Sequence, residues 1–308
     1  MAQTIDIASA PLLGVRRSRP PRPILRLSLT LLGVLPFFIF VLAFQFFPAF
    51  SIVTRTFARN SDGTFTLDNI ISLNTPLIIG AYVTTTQISL ITSILGGAIG
   101  FVLACAITIG GLPAWIKGGI LSFSGVASNF AGVPLVFAFT STLGRLGVLT
   151  DFLKTAGINL YPNFTLYGFW GLCIVYLYFQ IPLMVLILVP AIDSLKKEWR
   201  EASENLGGTR FHYWRYVALP ILFPSIVGTV ALLFGNAFGT QATAYALVGG
   251  GAGQNMVVTL LVTAQFSTDS LANPGLGNAL AFGMIVVMAF TILIYTYCRR
   301  ISMRWLAR

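Results

Sequence analysis

Residues 166–192 read LYGFWGLCIVYLYFQIPLMVLILVPAI, twenty-seven positions without one Asp, Glu, Lys, Arg or His. A helix of about 20 apolar residues crosses a hydrocarbon layer of about 30 Å, so this stretch reads as a membrane crossing. Its prolines, Pro182 and Pro190, are compatible with that, because neighbouring helices and hydroxyls can re-satisfy the carbonyls a proline frees. Five more stretches of the same kind flank it: Leu27–Val53, Leu77–Ile109, Gly119–Leu143, Ile221–Val248 and Ala279–Cys298. The second is long enough that it must tilt or extend beyond the lipid. The first and fifth also carry prolines (Pro36 and Pro48; Pro224). The expected fold class is an all-α multi-pass membrane protein with six transmembrane helices.

Composition agrees. Of 308 residues, 56% are apolar and only 9% are Asp, Glu, Lys or Arg, against about 25% charged in an ordinary soluble domain. All nineteen basic and all nine acidic residues fall outside the six stretches. Proton relays and voltage sensors need ionisable groups inside the membrane, so both are disfavoured. The single histidine, His212, leaves no multi-histidine metal site and no histidine-dependent triad unless it alone serves as base. Cys105, Cys173 and Cys298 lie far apart in apolar surroundings and read as packing residues, with no CxxC motif.

Charge sets the expected topology. Arg16, Arg17, Arg19, Arg22, Arg26, Lys117, Lys196, Lys197, Arg200, Arg210, Arg215, Arg299, Arg300, Arg304 and Arg308 would share one face, and Arg55, Arg59, Arg145 and Lys154 the other. By the positive-inside rule both termini are cytoplasmic, and an even number of crossings agrees. The net charge of +10 then reports topology and attraction to anionic lipid rather than nucleic acid. Residues 1–26 read as a cytoplasmic, disordered segment with an Arg/Pro cluster at Arg16–Pro23. A cleavable signal peptide is the competing reading, but the apolar run that follows is too long for one. Residues 27–298 form the six-span membrane domain, and 299–308 a basic tail.

One loop stands apart. Asp193–Pro220 reads DSLKKEWREASENLGGTRFHYWRYVALP. Leu195, Trp199, Ala202 and Leu206 make one apolar stripe of a short helix, Gly207–Gly208 breaks it, and a second, aromatic and basic segment runs from Phe211 to Val217. Leu219–Pro220 opens the next crossing. Physically the loop is either a helix lying on lipid headgroups or a knob that fits a groove on a soluble partner.

The spacing Glu201-Ala202-Ser203, three residues, Gly207, nine residues, Val217-x-Leu219-Pro220 resembles the EAA loop, EAA-x3-G-x9-I-x-LP. That loop marks the membrane subunits of ATP-binding-cassette importers that work with a solute-binding protein. Ser203 stands in place of the third alanine and Val217 in place of isoleucine, both small changes. The resemblance extends from about Tyr82 to the C-terminus and implies the type I importer permease architecture. It further implies a bacterial inner (plasma) membrane location and a non-catalytic transport subunit. ATP and Mg would be bound by a partner, with no cofactor on this chain. The implied partners are a cytoplasmic ATPase dimer, a second permease subunit (a distinct homologue or a second copy) and a periplasmic or extracellular solute-binding protein, besides membrane lipid. The loop would be the coupling helix. Glu201 would offer a carboxylate to a basic group, Ala202 and Ser203 would allow close approach, and Gly207 would permit the turn. Leu219 and Pro220 would fix the re-entry into the membrane.

Inside the crossings, Asn129, Asn236 and Gln241 are candidates to line a translocation path, with Gln87 and Gln180 ranked below them. Interhelical hydrogen bonding is the competing role for all five. Gly96-x-x-x-Gly100, with Gly97, reads as a close-packing face. Gly249–Gly253 lacks the Gly-Lys-Ser/Thr ending of a phosphate loop and reads as an external loop. Phe65–Asn69 and Leu146–Leu149 resemble strings in the polyamine, phosphonate and ferric-iron branch of the family, which implies a polyamine or related small charged solute. The alternative function, an ATP-independent channel or secondary transporter, calls for intramembrane charge or inverted repeats, and neither is evident. Reporter fusions at Asn205 and Gln265 are expected to report cytoplasmic and external placement respectively; the reverse pattern would overturn this topology.

Overall fold

The computed structural model describes residues 33–59, 62–161, 163–249, 257–266 and 273–306. The segment 1–26, the start of the first expected crossing, Gly250–Gly253 and Arg308 lie outside the described residues, as does the side chain of Cys298. The chain divides into two compact units, Met1–Ser51 and Ile52–Arg308. Among the described residues there is no strand, only one isolated bridge between Ala58 and Phe65.

Among the described residues six helical stretches are long and apolar enough to cross a membrane. They are α1 (Gly33–Thr56), α2 (Pro76–Ile109), Val133–Thr155, α6 (Phe169–Asp193), α8 (Arg210–Gly239) and Pro274–Tyr297, the last within α11 (Pro274–Leu306). The third differs from the expected Gly119–Leu143. It turns at 144–147, which parts α4 (Val133–Leu143) from α5 (Val148–Thr155), and α5 carries Asp151 and Lys154. The apolar path through this region is instead α3 (Ala114–Asn129) followed by α4, with a break at 130–132. A continuous helix was expected there.

The fifth expected crossing, Ile221–Val248, is likewise two pieces. α8 ends at Gly239, and α9 (Ala242–Val248) follows a break at Thr240–Gln241. A short apolar helix not foreseen, α10 (Val258–Gln265), comes before α11. Between α6 and α8, Lys197–Asn205 form α7. Leu195 precedes it, so only part of the expected apolar stripe is helical.

Helix α8 starts at Arg210, well before Leu219–Pro220. A π turn, Trp214–Ala218, carries the helix through: the Leu219 N–H donates to the Trp214 carbonyl. Pro220 has no N–H, and its ring would crowd the carbonyl four residues back, so a wider turn just ahead of it relieves the clash. Helix α1 uses the same device, a π turn at Leu42–Phe46 with the Phe47 N–H on the Leu42 carbonyl, immediately before Pro48.

Within the second unit α2 packs chiefly on α6 and α8, α3 on α6, and α8 on α11. Helix α6 is apolar all round, as a helix enclosed by others must be. Within the second unit 56% of the apolar stretch of α6 is buried, against 11% of that of α11, so α6 is the axis and α11 lies at the periphery. Exposed apolar side chains such as Ile94 and Val102 on α2 and Ile292 and Leu293 on α11 give the bundle an outer face suited to lipid.

The α2–α6 contact depends on missing side chains. A Cβ on Gly100 would stand 2.5 Å from Met184 Cβ and 2.9 Å from the Ile181 carbonyl oxygen, and one on Gly97 would meet Val230 of α8 at 2.9 Å. Gln180, fully buried on α6, donates from Nε2 to Thr92 Oγ1 of α2 at 2.9 Å. Lys117 Nζ lies 2.8 and 2.6 Å from the two carboxylate oxygens of Asp193, so the start of α3 and the end of α6 share one end of the bundle. Gly100→Ala forces one helix off the other and should destabilise the protein by about 1–3 kcal/mol. Gly80→Ala, with nothing within 4 Å, should not. Equal melting temperatures for the two variants would refute the close contact.

Candidate functional site

The loop 193–220 is held by local chemistry. Helix α7 ends in a Schellman motif: the Gly208 N–H donates to the Ser203 carbonyl and the Gly207 N–H to the Glu204 carbonyl, both at 2.9 Å. Gly207 has φ +78°, a left-handed conformation that a side chain resists. The chain reverses there and enters α8 through a cap. Thr209 Oγ1 lies 2.6 Å from His212 Nδ1 and accepts from the His212 N–H at 3.4 Å. The only histidine of the chain is thus half of a helix cap, stacked near Tyr216 at 6.2 Å between centroids. On α7 Arg200 Nε pairs with Glu204 Oε1 at 2.8 Å.

The reversal opens a cleft of about 590 Å³ between α7 and the first turns of α8. Ala202, Ser203, Gly207 and Val217 line it, together with Trp199 and Leu206. Four of the seven residues singled out in this loop therefore share one surface. Glu201 is exposed outside it. Leu219 and Pro220 lie within α8 between the cleft-lining Val217 and Ile221 and do not line the cleft themselves. Leu206 is 89% exposed. A large apolar side chain held in the open at the rim of a concave, largely apolar surface marks an interaction site.

The two helix breaks meet. Gly132 opens α4 with φ 73° and ψ −147°, and its N–H donates to Thr243 Oγ1 of α9 at 2.9 Å. At the other break the Thr240 carbonyl accepts from the Tyr176 hydroxyl of α6 at 3.2 Å. Asn129 ends α3 beside the first break, exposed, with Nδ2 donating to the Gly125 carbonyl at 2.9 Å. Gln241 lies in the second break and donates from Nε2 to Thr263 Oγ1 of α10 at 3.2 Å. Asn236 lies one turn before that break, exposed, its carbonyl accepting from the Thr240 hydroxyl at 2.6 Å. Thus Asn129 and Gln241 flank two breaks bound to each other, and Asn236 adjoins the second. Gln180 takes the packing role described above, and Gln87 is exposed on α2. The residues that hold the breaks, Tyr176 and Thr243, were not singled out from the sequence. The signal for them is a hydroxyl inside an apolar run.

Residues 132–308 match the model of the family described as binding-protein-dependent transport system inner membrane component. The chain is 30% identical over 115 residues to the thiamine transport system permease protein ThiP of Escherichia coli (strain K12), a stretch covering 37% of this chain but only 21% of that protein. It is 24% identical over 263 residues to the spermidine/putrescine transport system permease protein PotB of Salmonella typhimurium (strain SL1344), covering 84% of this chain and 89% of that protein. The fold is similar to a chain of the bacterial alginate ABC transporter solved in complex with an alginate pentasaccharide-bound periplasmic protein. The TM-score is 0.68 at 18% identity, over 91% of this chain and 96% of that one.

Thr243→Val leaves the buried Gly132 N–H without an acceptor and should destabilise the protein by about 1–3 kcal/mol. Thr243→Ser keeps the hydroxyl and should melt near the unaltered protein. A Val variant as stable as the Ser variant would show that the bond between the breaks contributes nothing.

Proposed function

Because this chain belongs to the family of binding-protein-dependent transport system inner membrane components, we propose that it is the permease subunit of an ABC importer. In this reading it forms half of a translocation path and couples solute uptake to ATP hydrolysis on a separate subunit through the loop 193–220. The observation that carries the coupling role is the open cleft built by Ala202, Ser203, Gly207 and Val217 at the end of α7. It lies between α7 and the first turns of α8, and its concave, largely apolar form suits a protein ridge. The ATPase dimer binds ATP and Mg and seats against this cleft. Glu201, exposed beside it, pairs with a basic group there. Asn129, Asn236 and Gln241 belong to the path, where their side-chain amides beside the breaks offer hydrogen bonds to a polar solute. The second permease subunit closes the other half, and a solute-binding protein delivers cargo from the outside. Both termini of the chain lie in the cytoplasm.

The solute proposed is a polyamine or related small charged molecule. A relative matched over 84% of this chain and 89% of its own length carries spermidine and putrescine in its name, although other relatives are named for thiamine and sulfate. Uptake of labelled putrescine in cells expressing the whole system, challenged with excess unlabelled thiamine or sulfate, decides among them. Competition by thiamine or sulfate and not by spermidine would reject the polyamine.

Coupling is tested by expressing the tagged chain with its chromosomal neighbours and extracting the membranes gently. An ATPase subunit is expected to co-purify, and Glu201→Lys should weaken its association. A left-handed conformation at a non-glycine residue costs about 1–2 kcal/mol, so Gly207→Val should distort the turn. Transport in that variant is expected to fall by about tenfold, with ATP hydrolysis and membrane insertion retained. Uptake that persists with no ATPase present would replace this reading with a self-contained carrier.

A further inference from the structure

A cavity of about 300 Å³ lies where α2 and α6 end and the loop 193–220 begins. Ile109, which closes α2, and Ile192, next to the end of α6, form its apolar wall. Four cations, Lys196, Lys197, Arg200 and Arg210, and two aromatic side chains, Tyr213 and Trp214, also line it. Among the described residues no carboxylate lines it. Arg200 shares its charge with Glu204. Asp193 is paired with Lys117, and Glu198, two residues beyond Lys196, does not line the cavity. Among the described residues Lys196, Lys197 and Arg210 have no carboxylate within ion-pairing distance.

Like charges gathered around one cavity repel one another unless an anion joins them. Glu198, in the first turn of α7, offsets the positive end of that helix, so the potential in the cavity comes from the four side-chain cations. Ile109 and Ile192 stand at the ends of two helices apolar enough to cross a membrane, which brings the cavity to the level where lipid headgroups carry phosphate and where Tyr and Trp are favoured. We infer that this cavity binds a phosphate-bearing anion, presented by the headgroup of an anionic phospholipid or free in solution. The site is distinct from the cleft on the other side of α7, and it depends only on α2 and α6 crossing a membrane, not on the proposed transport function.

The full chain, purified in a non-ionic detergent and stripped of lipid, is titrated with short-chain phosphatidylglycerol, short-chain phosphatidylcholine and inorganic phosphate. Melting temperature and Trp fluorescence are followed, with Trp214→Phe marking the signal from the cavity wall. Lys197→Gln/Arg210→Gln removes two charges, and Lys197→Arg/Arg210→Lys keeps them. Saturable stabilisation by phosphatidylglycerol and not by phosphatidylcholine is expected, weakened on the order of tenfold or more in the neutralised variant and retained in the charge-keeping one. Saturation by inorganic phosphate through the same two residues, with no preference for phosphatidylglycerol, assigns the site to free phosphate. Equal effects of the two lipids, or binding unchanged by neutralisation, overturns the inference. So does loss of a co-purifying protein with lipid binding intact, which would give these cations to a protein partner. Should the double variant fail to fold, Lys197→Gln alone gives the same comparison.

Discussion

In hydrocarbon there is no water to meet a free N–H or C=O, and each unmet group costs several kcal/mol. That constraint governs where this bundle can depart from helix. At Gly132 the freed N–H meets the hydroxyl of Thr243. At Thr240 the freed carbonyl meets the hydroxyl of Tyr176. At the start of α10 the Val258 N–H meets Thr85 Oγ1 of α2 at 2.9 Å. Three interruptions are thus met by three side-chain hydroxyls, each from a different helix. The hydroxyls do more than satisfy valence, because each ties its break to a neighbour and fixes the break in space. The irregular backbone around Asn129 and Gln241 is therefore a built feature of the fold.

Close packing around α6 sets the frame in which those bonds can form. Gly96, Gly97 and Gly100 let α2 approach both α6 and α8, and the buried Gln180–Thr92 bond sets the register of α2 on α6. Tyr176 lies one turn from Gln180 on α6, so the residue that locks α2 and the one that holds the second break share one helix. Three apolar clusters stack along the bundle: Ile88, Leu135 and Phe179 near the breaks, Met184 and Leu188 toward the loop, and Phe238, Val258 and Leu280 around α10 and α11.

The crossings were legible because charge is excluded from them so completely, and the loop because charge and a Gly-Gly pair return together at 193–208. The interruptions were not. Hydropathy counts apolar residues and is blind to a backbone that leaves the helix among them. Asn129, Gly132 and Pro134 lie within six residues, and Thr240-Gln241 breaks an apolar run. Both are punctuation that a periodicity argument passes over. Pro220 misled in the opposite direction. Proline favours the first turn of a helix, so Leu219–Pro220 reads as a start, whereas the π turn at Trp214–Ala218 lets α8 run through it. Helix α10, at eight residues, is too short for a crossing and is helical because its apolar side chains are buried by neighbours distant in sequence. The cleft between α7 and α8 depends on a tertiary angle, and only Gly207 hinted at it.

The continuity of α8 has a mechanical meaning. Its thirty residues measure about 45 Å at about 1.5 Å per residue, with Val217 of the cleft near one end and the Thr240–Gln241 break at the other. Moving as one rod, a tilt of about 5° around its midpoint displaces each end by about 2 Å in opposite directions. A sideways push on the cleft wall thus arrives at Asn236 as a displacement of similar size and reversed sense. No relay of side chains is required, because one helix, unbroken through its π turn and past Pro220 and Pro224, joins the two sites.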